Sequence, residues 1–554
     1  MKLTKIPLAF LVITSFFIST GMANHSFTQA TLVGDGTPGS CTEASLNQAI
    51  TAGGDISFNC CPNPVIIPIT SQKVLQGSLT IDGGNKIILD GGRKTRIFKI
   101  AMSSRITIQN ITLQNGLAQS NTYKDDKYGQ GGAIASYEWS TFTINNVTFK
   151  NNESTADDHS CVGGGAIFIG GFDHAYIYNS TFTGNIAKNG GAINDLTSDL
   201  YIINSTFDGN QAMHDAYINR AGQDGCGGGG AVYIDGGSPA SQGGSGEIYI
   251  NHSSFTNNAT NNFGGAIFAF LYSNDRMSID GSDFENNRAV FYSFGDPPDG
   301  GNGGAIWLAG DNALQDPGRI FTGKIYISDS TIAKNHADYD AGGVYAWDAP
   351  LIIKNVTIDA NEAKNTQTNP KYLYYKGIGG GLALGAGSAP LIGSELIHTT
   401  ITNNTAGYTG GGISTLGGQA LSGTTMVNTI IANNKTLRIV QNTTIDNNCN
   451  NLLTNIGGSI QFPAKTSIIG DHDCASSIKM ANPMLGPLQD NGGPTKTEAL
   501  LAGSPAINYG LAAYCLPFDQ RGYIRPGTCD SGAYAYGGTV FVPSAWEYLP
   551  LISR

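Results

Sequence analysis

The stretch Gly163-Gly-Gly-Ala-Ile-Phe-Ile169, followed by Ala175-Tyr-Ile-Tyr-Asn-Ser-Thr-Phe182 and Asn185, decides the fold of this chain. Its first element is a glycine pair before a short apolar run, and further pairs begin at Gly131, Gly190, Gly229, Gly264, Gly303, Gly342, Gly380 and Gly411. Its second element is a large apolar residue with Asn three positions later, at Phe149/Asn152, Phe182/Asn185, Phe207/Asn210, Phe255/Asn258, Phe284/Asn287, Ile332/Asn335, Ile358/Asn361, Ile401/Asn404 and Ile430/Asn433. Such self-similarity is typical of a solenoid, in which each repeat adds one coil.

Each repeat predicts three short strands, which cannot bury a face alone but can do so when coils stack. We therefore predict an all-β fold, a right-handed parallel β-helix (solenoid) with an N-terminal helical cap and a C-terminal disulfide-containing cap. The apolar residue before each Asn should point into the bore. Asn tolerates left-handed backbone angles and should lie at the turns, while the glycine pairs allow sharp bends and close approach of neighbouring coils. An antiparallel sandwich is the alternative, but hairpin signals are few.

The ends of the chain differ from the repeats and divide it into segments. Residues 1–23 predict a secretory signal peptide, with Lys2 and Lys5, an apolar run over 6–18, and small residues at Gly21 and Ala23. An uncleaved anchor helix is the alternative, but the run is short for a bilayer. We expect an N-terminal cap with first coils over 24–105, the repeat array over 106–434, C-terminal coils and a distinct module over 435–538, and a tail over 539–554.

Composition and cysteine content indicate which partners the protein excludes and which cellular compartment it occupies. The net charge is −11 and the sequence has no basic cluster, so nucleic acid is excluded as a partner. Nine cysteines in an exported chain favour disulfides, with one left over. Proximity predicts Cys449–Cys474 and Cys515–Cys529, Cys41 with either Cys60 or Cys61, and leaves Cys161–Cys226 as a further option. Zinc is the competing interpretation, but no Cys-x-x-Cys spacing occurs.

Two parts of the sequence carry a family resemblance. The glycine-pair and Phe-x-x-Asn elements resemble the repeats of the polymorphic outer membrane proteins and of bacterial right-handed β-helix surface proteins in the pectin-lyase-like fold class. Residues 482–507 and 519–533, which include Asp519-Gln-Arg-Gly522, closely resemble the C-terminal module called choice-of-anchor Q. The resemblance implies a secreted or cell-surface protein.

Strand alternation predicts which side chains face solvent. If Ile167 and Ile169 point inward, Phe168 points outward; counting three from the second glycine gives the equivalents Ala135, Asn194, Tyr233, Phe268, Trp307, Ala346, Leu384 and Thr415. Two residues further on lie Tyr137, Asp235, Phe270 and Asp348. The weaker repeats break the aromatic pattern, and Tyr345 and Trp347 join this face only if their coil is shifted by one residue. Aromatic planes beside carboxylates suit carbohydrate rings, so we predict a glycan-binding groove formed by Phe168, Tyr233, Phe268, Phe270, Trp307, Asp235 and Asp348. The alternatives are that inserted loops cover these rings or that the register is reversed.

The sequence assigns no catalytic residue. Enzymes of the fold class cut acidic polysaccharides, and the candidate carboxylate groups are Asp125/Asp126, Asp157/Asp158 with His159, and Asp471/Asp473 with His472. Arg521 could clamp a carboxylate or form a structural salt bridge with Asp519 or Asp530. The prediction is a surface scaffold for adhesion or binding, with a polysaccharide lyase or glycoside hydrolase as the alternative and a structural surface layer as a third. No cofactor is predicted, although Asp-rich loops leave Ca²⁺ open.

Overall fold

The computed structural model describes residues 31–119, 129–155, 163–212, 227–237, 246–272, 274–290, 300–311, 321–364, 377–385, 393–416, 423–438, 443–466 and 471–541. The predicted signal peptide, Cys161, Cys226, the acidic groups at 125–126 and 157–159, and most of the tail lie outside these residues. Within the described part, no helix has both the length and the apolar character needed to cross a bilayer.

The repeats form a right-handed parallel β-helix, which confirms the predicted fold. Its coils build three sheets, which are parallel except for the pair Lys435–Arg438 and Thr443–Asp446 at the end of sheet C. Sheet B consists of the strands that follow the glycine pairs, preceded by two strands from the N-terminal coils. In chain order its strands are Lys73–Leu75, Phe98–Ile100, Ile134–Ser136, Ile167–Ile169, Ile193–Leu196, Val232–Asp235, Ile267–Leu271, Ile306–Gly310, Val344–Trp347, Leu382–Gly385 and Ile413–Leu416.

Sheet A is the largest and consists of two adjoining columns of strands. The first column contains Thr31–Val33, Gly54–Phe58, Ser78–Asp90, Arg105–Gln114, Thr141–Lys150, His174–Tyr178, Asp199–Ile203, Glu247–Asn251, Arg276–Asp280, Ile325–Ser328, Leu351–Lys354, Glu395–Ile397, Thr425–Val427 and Thr454–Gly457. The second contains Val65–Pro68, Thr181–Thr183, Thr206–Asp208, Ser254–Thr256, Asp283–Glu285, Thr331–Ala333, Thr357–Asp359, Thr400–Thr402, Ile430–Ala432, Ile460–Phe462 and Lys479–Met480, and the strands Ser78–Asp90, Arg105–Gln114 and Thr141–Lys150 extend across both columns.

Sheet C closes each coil with very short strands. It contains Gln211–Ala212, Ala259–Thr260, Arg288–Ala289, His336–Ala337, Glu362–Ala363, Thr405–Ala406, Lys435–Arg438 and Thr443–Asp446, and the separate pair Leu117–Gln119 and Glu153–Thr155 precedes it. The side chains that sheet C buries are small, such as Ala289 and Ala337, whereas the large apolar side chains of the core come from sheets A and B.

The phenylalanines of the repeats stack in one column inside the bore. Phe149, Phe182, Phe207, Phe255 and Phe284 are fully buried, and successive ring centroids are 4.5–4.8 Å apart with nearly parallel planes. This distance is the spacing between paired strands, so residues of successive repeats lie directly above one another. Burial of each ring contributes about 1.5–3 kcal/mol.

The asparagine of each repeat is buried, and the side chains form a continuous hydrogen-bonded ladder. In one rung, Asn258 Oδ1 accepts hydrogen bonds from the side chain and the backbone N–H of Asn210, both at 3.0 Å. Its Nδ2 donates to Asn287 Oδ1 at 2.9 Å and to the Phe207 carbonyl at 3.0 Å. The ladder joins Asn152, Asn185, Asn210, Asn258, Asn287, Asn335, Asn361, Asn404, Asn434 and Asn448.

These asparagines lie at turns as predicted, but the left-handed backbone angle belongs to the preceding residue. Asn257 before Asn258 has φ +56°, and Gly209 before Asn210 has φ +64°. The ladder also corrects the last repeat, because Ile401 pairs with Ile431 and Asn404 bonds to Asn434. The predicted pair Ile430/Asn433 is therefore one residue early.

In the pairs up to Gly303–Gly304 the two glycines have different roles. The first takes a left-handed angle, as at Gly264 with φ +68°. The second lies against the next coil, since a Cβ on Gly265 would be 1.9 Å from the carbonyl oxygen of Gly304. Both the bend and the close approach were predicted, and both exclude a side chain.

Caps cover the two ends of the solenoid. The helix Glu43–Ala52 begins at Thr42, whose hydroxyl accepts from the N–H of Ser45 in a capping box, and Leu46 packs into the core. A short 3₁₀ turn, Pro38–Ser40, precedes this helix. At the other end, the disulfide Cys449–Cys474 lies beside the last strand of sheet B.

The C-terminal segment folds back along the side of the solenoid. It contains the antiparallel pairs Leu485–Gln489 with Thr497–Leu500 and Tyr523–Ile524 with Thr539–Val540, and a 3₁₀ turn at Ala512–Tyr514. Threonines of the second column of sheet A anchor it: Thr331 Oγ1 donates to the Lys496 carbonyl and Thr357 Oγ1 to Gln520 Oε1, both at 2.6 Å. The boundaries proposed at 105/106 and 434/435 stay predictions.

The structure also contains the disulfides Cys515–Cys529 and Cys41–Cys60, the second of which resolves the choice left open between Cys60 and Cys61. Cys61 has a free thiol. His398 lies near the sulfurs of Cys515 and Cys529, but disulfide sulfurs are not thiolate ligands, so this group does not make a zinc site.

Candidate functional site

The predicted outward column on sheet B exists over five coils. Phe168, Asn194, Tyr233, Phe268 and Trp307 are paired in register from strand to strand. The ring centroids of Tyr233 and Phe268 are 4.6 Å apart, and those of Phe268 and Trp307 are 4.5 Å apart, with planes within a few degrees of parallel. The inward and outward assignment is therefore correct for this part of the array.

Beyond Trp307 the prediction is wrong by one residue. Trp307 pairs with Tyr345, so the outward positions are Tyr345, Ala383 and Ser414, whereas the predicted Ala346, Leu384 and Thr415 point inward. Ala341, the residue before the glycine pair, takes the left-handed angle in this coil, with φ +57°. Gly343 consequently occupies the place that Ala holds in the earlier repeats, and counting from the second glycine starts one residue late.

The same shift removes Asp348 from the predicted groove. The column that contains Asp235 continues through Phe270 and Ala309 to Trp347. Asp348 follows that strand at a left-handed turn residue and is buried. It therefore does not lie with Asp235.

Neighbouring segments cover most of this aromatic column. Phe168 and Phe268 are only 3% and 9% exposed. The Phe263 ring lies 5.1 Å from that of Trp307, and the backbone at Gly228 passes so close that a Cβ there would be 3.0 Å from the rings of Tyr233 and Phe268.

The polar groups beside the column are also engaged internally. Tyr272 donates its hydroxyl hydrogen to Asp235 at 2.5 Å, and burial raises the pKa of Tyr233. Little of the predicted groove is left for a ligand, and its binding role stays a prediction.

An open aromatic surface lies instead on the outer face of the first column of sheet A. Tyr176, Tyr201, Tyr249, Ser278 and Tyr326 pair in register, one per coil. Tyr176 and Tyr201 stack with ring centroids 4.9 Å apart. Since coils repeat at about 4.8 Å, this row, which we call the tyrosine row, is about 19 Å long.

Ser278 interrupts the tyrosine row and opens a groove. The side chains of Tyr249 and Tyr326 start two coils apart, about 9–10 Å, with only the small Ser278 between them. The groove has a volume of about 880 Å³ and is lined by Tyr201, Glu247, Tyr249, Arg276, Lys324 and Tyr326, among others. Tyr326 is 42% exposed, so its ring is available to a ligand.

Charged groups of both signs border the groove. Glu247 accepts a hydrogen bond from the Tyr201 hydroxyl at 2.5 Å, and burial together with this carboxylate raises the pKa of Tyr201. Lys324 Nζ lies 2.8 Å from Glu395 Oε1. Among the described lining residues Glu247 is the one carboxylate, and Arg276 beside it is exposed. The border can therefore both accept and donate hydrogen bonds.

A second exposed aromatic feature lies at the edge of the same face. The rings of Trp139 and Phe172 stack at 4.1 Å with planes 5° apart, and Trp139 is 53% exposed. Both residues have left-handed backbone angles, φ +61° and +66°, which are strained for bulky side chains. Phe172 is two residues before the strand His174–Tyr178 that begins the tyrosine row.

Sequence reasoning missed this face although a signal was present. In Tyr176-Ile-Tyr178 and Ile325-Tyr-Ile327 the tyrosines alternate with isoleucines that point into the core. The same alternation rule that was applied to sheet B would have placed these tyrosines outside. No signal predicted Trp139 and Phe172 as a stacked pair.

The other polar candidates have structural roles where they are described. Arg521 donates from Nε and Nη2 to Asp519 Oδ2 at 2.9 and 2.7 Å, and both residues are buried. This is the structural salt bridge that the sequence left open. Asp471 accepts a hydrogen bond from Asn447 at 3.0 Å, and Asp473 accepts one from the N–H of Lys465 at 3.0 Å, so both brace the C-terminal coils.

Comparison with known proteins gives two similarities. Residues 204–235 match the repeat of the Chlamydia polymorphic membrane proteins. The chain is also 30% identical over 241 residues to a probable autotransporter, YfaL, of Escherichia coli (strain K12). That alignment covers 40% of this chain and 18% of the relative, so the chain spans less than a fifth of the relative that it matches. Both similarities fit a β-helical repeat protein of the polymorphic-membrane-protein kind.

Proposed function

We propose that the protein is a secreted or cell-surface β-helix scaffold that binds carbohydrate chains along the tyrosine row. The similarity to polymorphic membrane protein repeats and to a probable autotransporter supports a surface location. The resemblance of 482–507 and 519–533 to choice-of-anchor Q agrees with that location and stays a prediction.

The groove at Ser278 is the observation that carries the proposal. Ligand sites are concave, with apolar walls and a few polar groups that orient the ligand. Here the ring of Tyr326 offers an exposed apolar face, while Glu247 and Arg276 supply an acceptor and a donor for hydroxyl groups. The row continues from Tyr201, at the groove, to Tyr176 beyond it, in the direction of the solenoid axis, which suits a linear chain.

Binding is favoured over cleavage by the composition of the groove. Most glycoside hydrolases use two carboxylates that flank the bond, and the described lining residues supply Glu247. The alternative, a lyase or hydrolase, predicts reducing ends or unsaturated products when the mature protein is incubated with acidic polysaccharides. Retention of the polysaccharide without such products agrees with a binding scaffold.

Two substitutions test the groove in opposite ways. Tyr326→Ala removes a ring face, whereas Ser278→Tyr completes the tyrosine row and fills the gap. Both should abolish retention of the polysaccharides that the wild-type protein retains in affinity gel electrophoresis. Tyr178→Ala, on the same sheet but outside the groove lining, is the matched control and should retain them.

A third substitution separates this face from the sheet B column. Trp307→Ala should leave retention unchanged if the tyrosine row is the site. Unchanged retention by folded Tyr326→Ala and Ser278→Tyr proteins would overturn the proposal, and loss with Trp307→Ala alone would return the site to sheet B.

A further inference from the structure

A column of charged and titratable residues runs beside the tyrosine row. Strand alternation places the residue two positions before each member of the row on the same side of the sheet. These residues, which we call the charge row, are His174, Asp199, Glu247, Arg276 and Lys324. They are the ionisable groups that a ligand on this side of the row would meet first.

Every base of the charge row lies beside a carboxylate. The pairs are His174 with Asp199 at 2.7 Å, Lys324 with Glu395 at 2.8 Å, and Arg276 with Glu247, its register partner on the neighbouring coil. The positive charge of each base is therefore already balanced within the protein.

The other flank of the tyrosine row adds negative charge. Two positions after the members of the row lie Tyr178, Ile203, Asn251, Asp280 and Ser328, of which Asp280 is acidic and none is basic. Carboxylates thus outnumber Arg276 and Lys324 on this face, and the whole chain has a net charge of −11. A ligand that bears carboxylate or sulfate groups would be repelled, whereas hydroxyl groups can bond to both members of each ion pair.

The stacked rings of Trp139 and Phe172 lie on the far side of the charge row. Along one strand, Phe172, His174 and Tyr176 follow one another at intervals of two residues. Trp139 is on the preceding coil, four coils from Ser278 in the register of the sheet. Since coils repeat at about 4.8 Å, the ring pair and the groove are about 19 Å apart along the solenoid axis.

The fold does not require aromatic rings at this corner. The same corner on the coils before and after holds Ser103 and Thr197, which have the same left-handed backbone as Trp139 and Phe172, with φ +58° for both. Trp139 is nevertheless 53% exposed. Bulky residues that keep a strained backbone while exposing an apolar ring are found at functional sites.

We propose, on the basis of the binding function above, that the ligand is an uncharged polysaccharide that extends from the groove at Ser278, across the charge row, to a second binding platform formed by Trp139 and Phe172. The apolar faces of its sugar rings pack on Tyr326 at one end and on Trp139 at the other. Its hydroxyl groups bond to the ion pairs between them. Because the two platforms are about 19 Å apart, a chain that reaches both binds more tightly than a short oligosaccharide that reaches one.

The charge of the ligand is tested with immobilised polysaccharides. The mature protein should bind at least one of a neutral panel of glucan, mannan, galactan and xylan, and added NaCl should not weaken this binding. It should not bind polygalacturonate. Binding to polygalacturonate alone, with loss in NaCl, would overturn this inference and leave the proposed function standing. Binding to none of these polysaccharides would overturn both.

Substitutions test the second platform. Trp139→Gly and Phe172→Gly keep the left-handed turn, since glycine adopts it without strain. Each should weaken binding of the long neutral chain about two- to tenfold and leave binding of a trisaccharide of the same sugar unchanged. Ser103→Gly, at the same corner on the coil beyond Trp139, is the matched control and should bind as wild type. Wild-type affinity for the long chain in folded Trp139→Gly and Phe172→Gly proteins would overturn the platform, while loss of binding in Tyr326→Ala would still support the groove.

Discussion

Glu498 and Asp359 share the same two hydrogen-bond donors where the C-terminal segment packs on sheet A. The Thr402 hydroxyl lies 2.5 Å from Glu498 Oε2 and 3.4 Å from Asp359 Oδ1. Asn403 Nδ2 lies 2.7 Å from Asp359 Oδ1 and 3.2 Å from Glu498 Oε1. Both carboxyl groups are buried. When both are ionised, their negative charges repel each other and destabilise this interface.

This pair makes stability fall as pH rises. Burial raises the pKa of both groups, and the charge of Asp359 raises that of Glu498 further; Lys334 opposes the rise at Asp359. A carboxyl group whose pKa is raised by folding favours the folded state while it is protonated. That stability is complete below the unfolded pKa of about 4.3 and is lost as pH rises through the folded pKa.

Glu498→Gln should therefore stabilise the protein at pH 8 by on the order of 1–3 kcal/mol and flatten the pH dependence of Tm. Thermal unfolding followed by circular dichroism between pH 5 and pH 8 measures both. Glu285→Gln is the control of opposite sign: although burial opposes it, hydrogen bonds from Lys334 and Lys496 lower the pKa of Glu285. That variant should lose stability at pH 8, and a parallel gain in both would contradict the assignment.

Removal of one asparagine from the ladder should be strongly destabilising. Asn258→Ala leaves the N–H of Asn210 without an acceptor and removes one hydrogen bond each from Asn210 Nδ2 and Asn287 Oδ1, which should cost about 2–4 kcal/mol. Asn257→Gly, one residue earlier, keeps the left-handed turn and removes only a surface contact. Chemical denaturation measures the loss in the free energy of unfolding for both variants. A smaller loss for Asn258→Ala than for Asn257→Gly would show that the ladder does not hold the coils together.

A methyl group on the second glycine of a pair should also be destabilising, for steric reasons. Gly265→Ala places a Cβ 1.9 Å from the carbonyl oxygen of the next coil, and overpacking of this kind costs about 3 kcal/mol. Gly209→Ala has a left-handed angle but nothing within 4 Å, so it should cost about 1 kcal/mol. Equal losses in the free energy of unfolding for the two variants would mean that the backbone angle, and not the contact with the next coil, requires glycine at these positions.

Trp139 should be dispensable for stability. Trp139→Gly loses the stack on Phe172, about 0.5–1.5 kcal/mol, but relieves a left-handed angle that costs about 1–2 kcal/mol for a bulky residue. The free energy of unfolding should change by less than about 1 kcal/mol, and Trp139→Ala, which keeps the strain, should be the less stable variant. A loss above about 2 kcal/mol for Trp139→Gly would assign this ring to the structure.

Register explains where sequence reasoning succeeded and where it failed. The side chains of a strand alternate, so the pattern around Ile167 and Phe168 was sufficient to place Tyr233, Phe268 and Trp307 on one face. In the later coils Gly343 replaces Ala, and a glycine carries no side chain from which the register can be read. The error of one residue that follows turns every side chain of the strand to the other face, and Asp348 was misplaced for that reason.

The sequence by itself determined the β-helix, because phenylalanine, asparagine and glycine recur at the same places in each coil and each is suited to one local environment. Only the tertiary structure decided which aromatic face is open. Phe263 and the backbone at Gly228 cover the sheet B column, whereas Ser278 opens the tyrosine row. It also decided that the C-terminal segment returns to Thr331 and Thr357. These contacts join residues far apart in the chain, and local patterns of alternation contain no information about such distances.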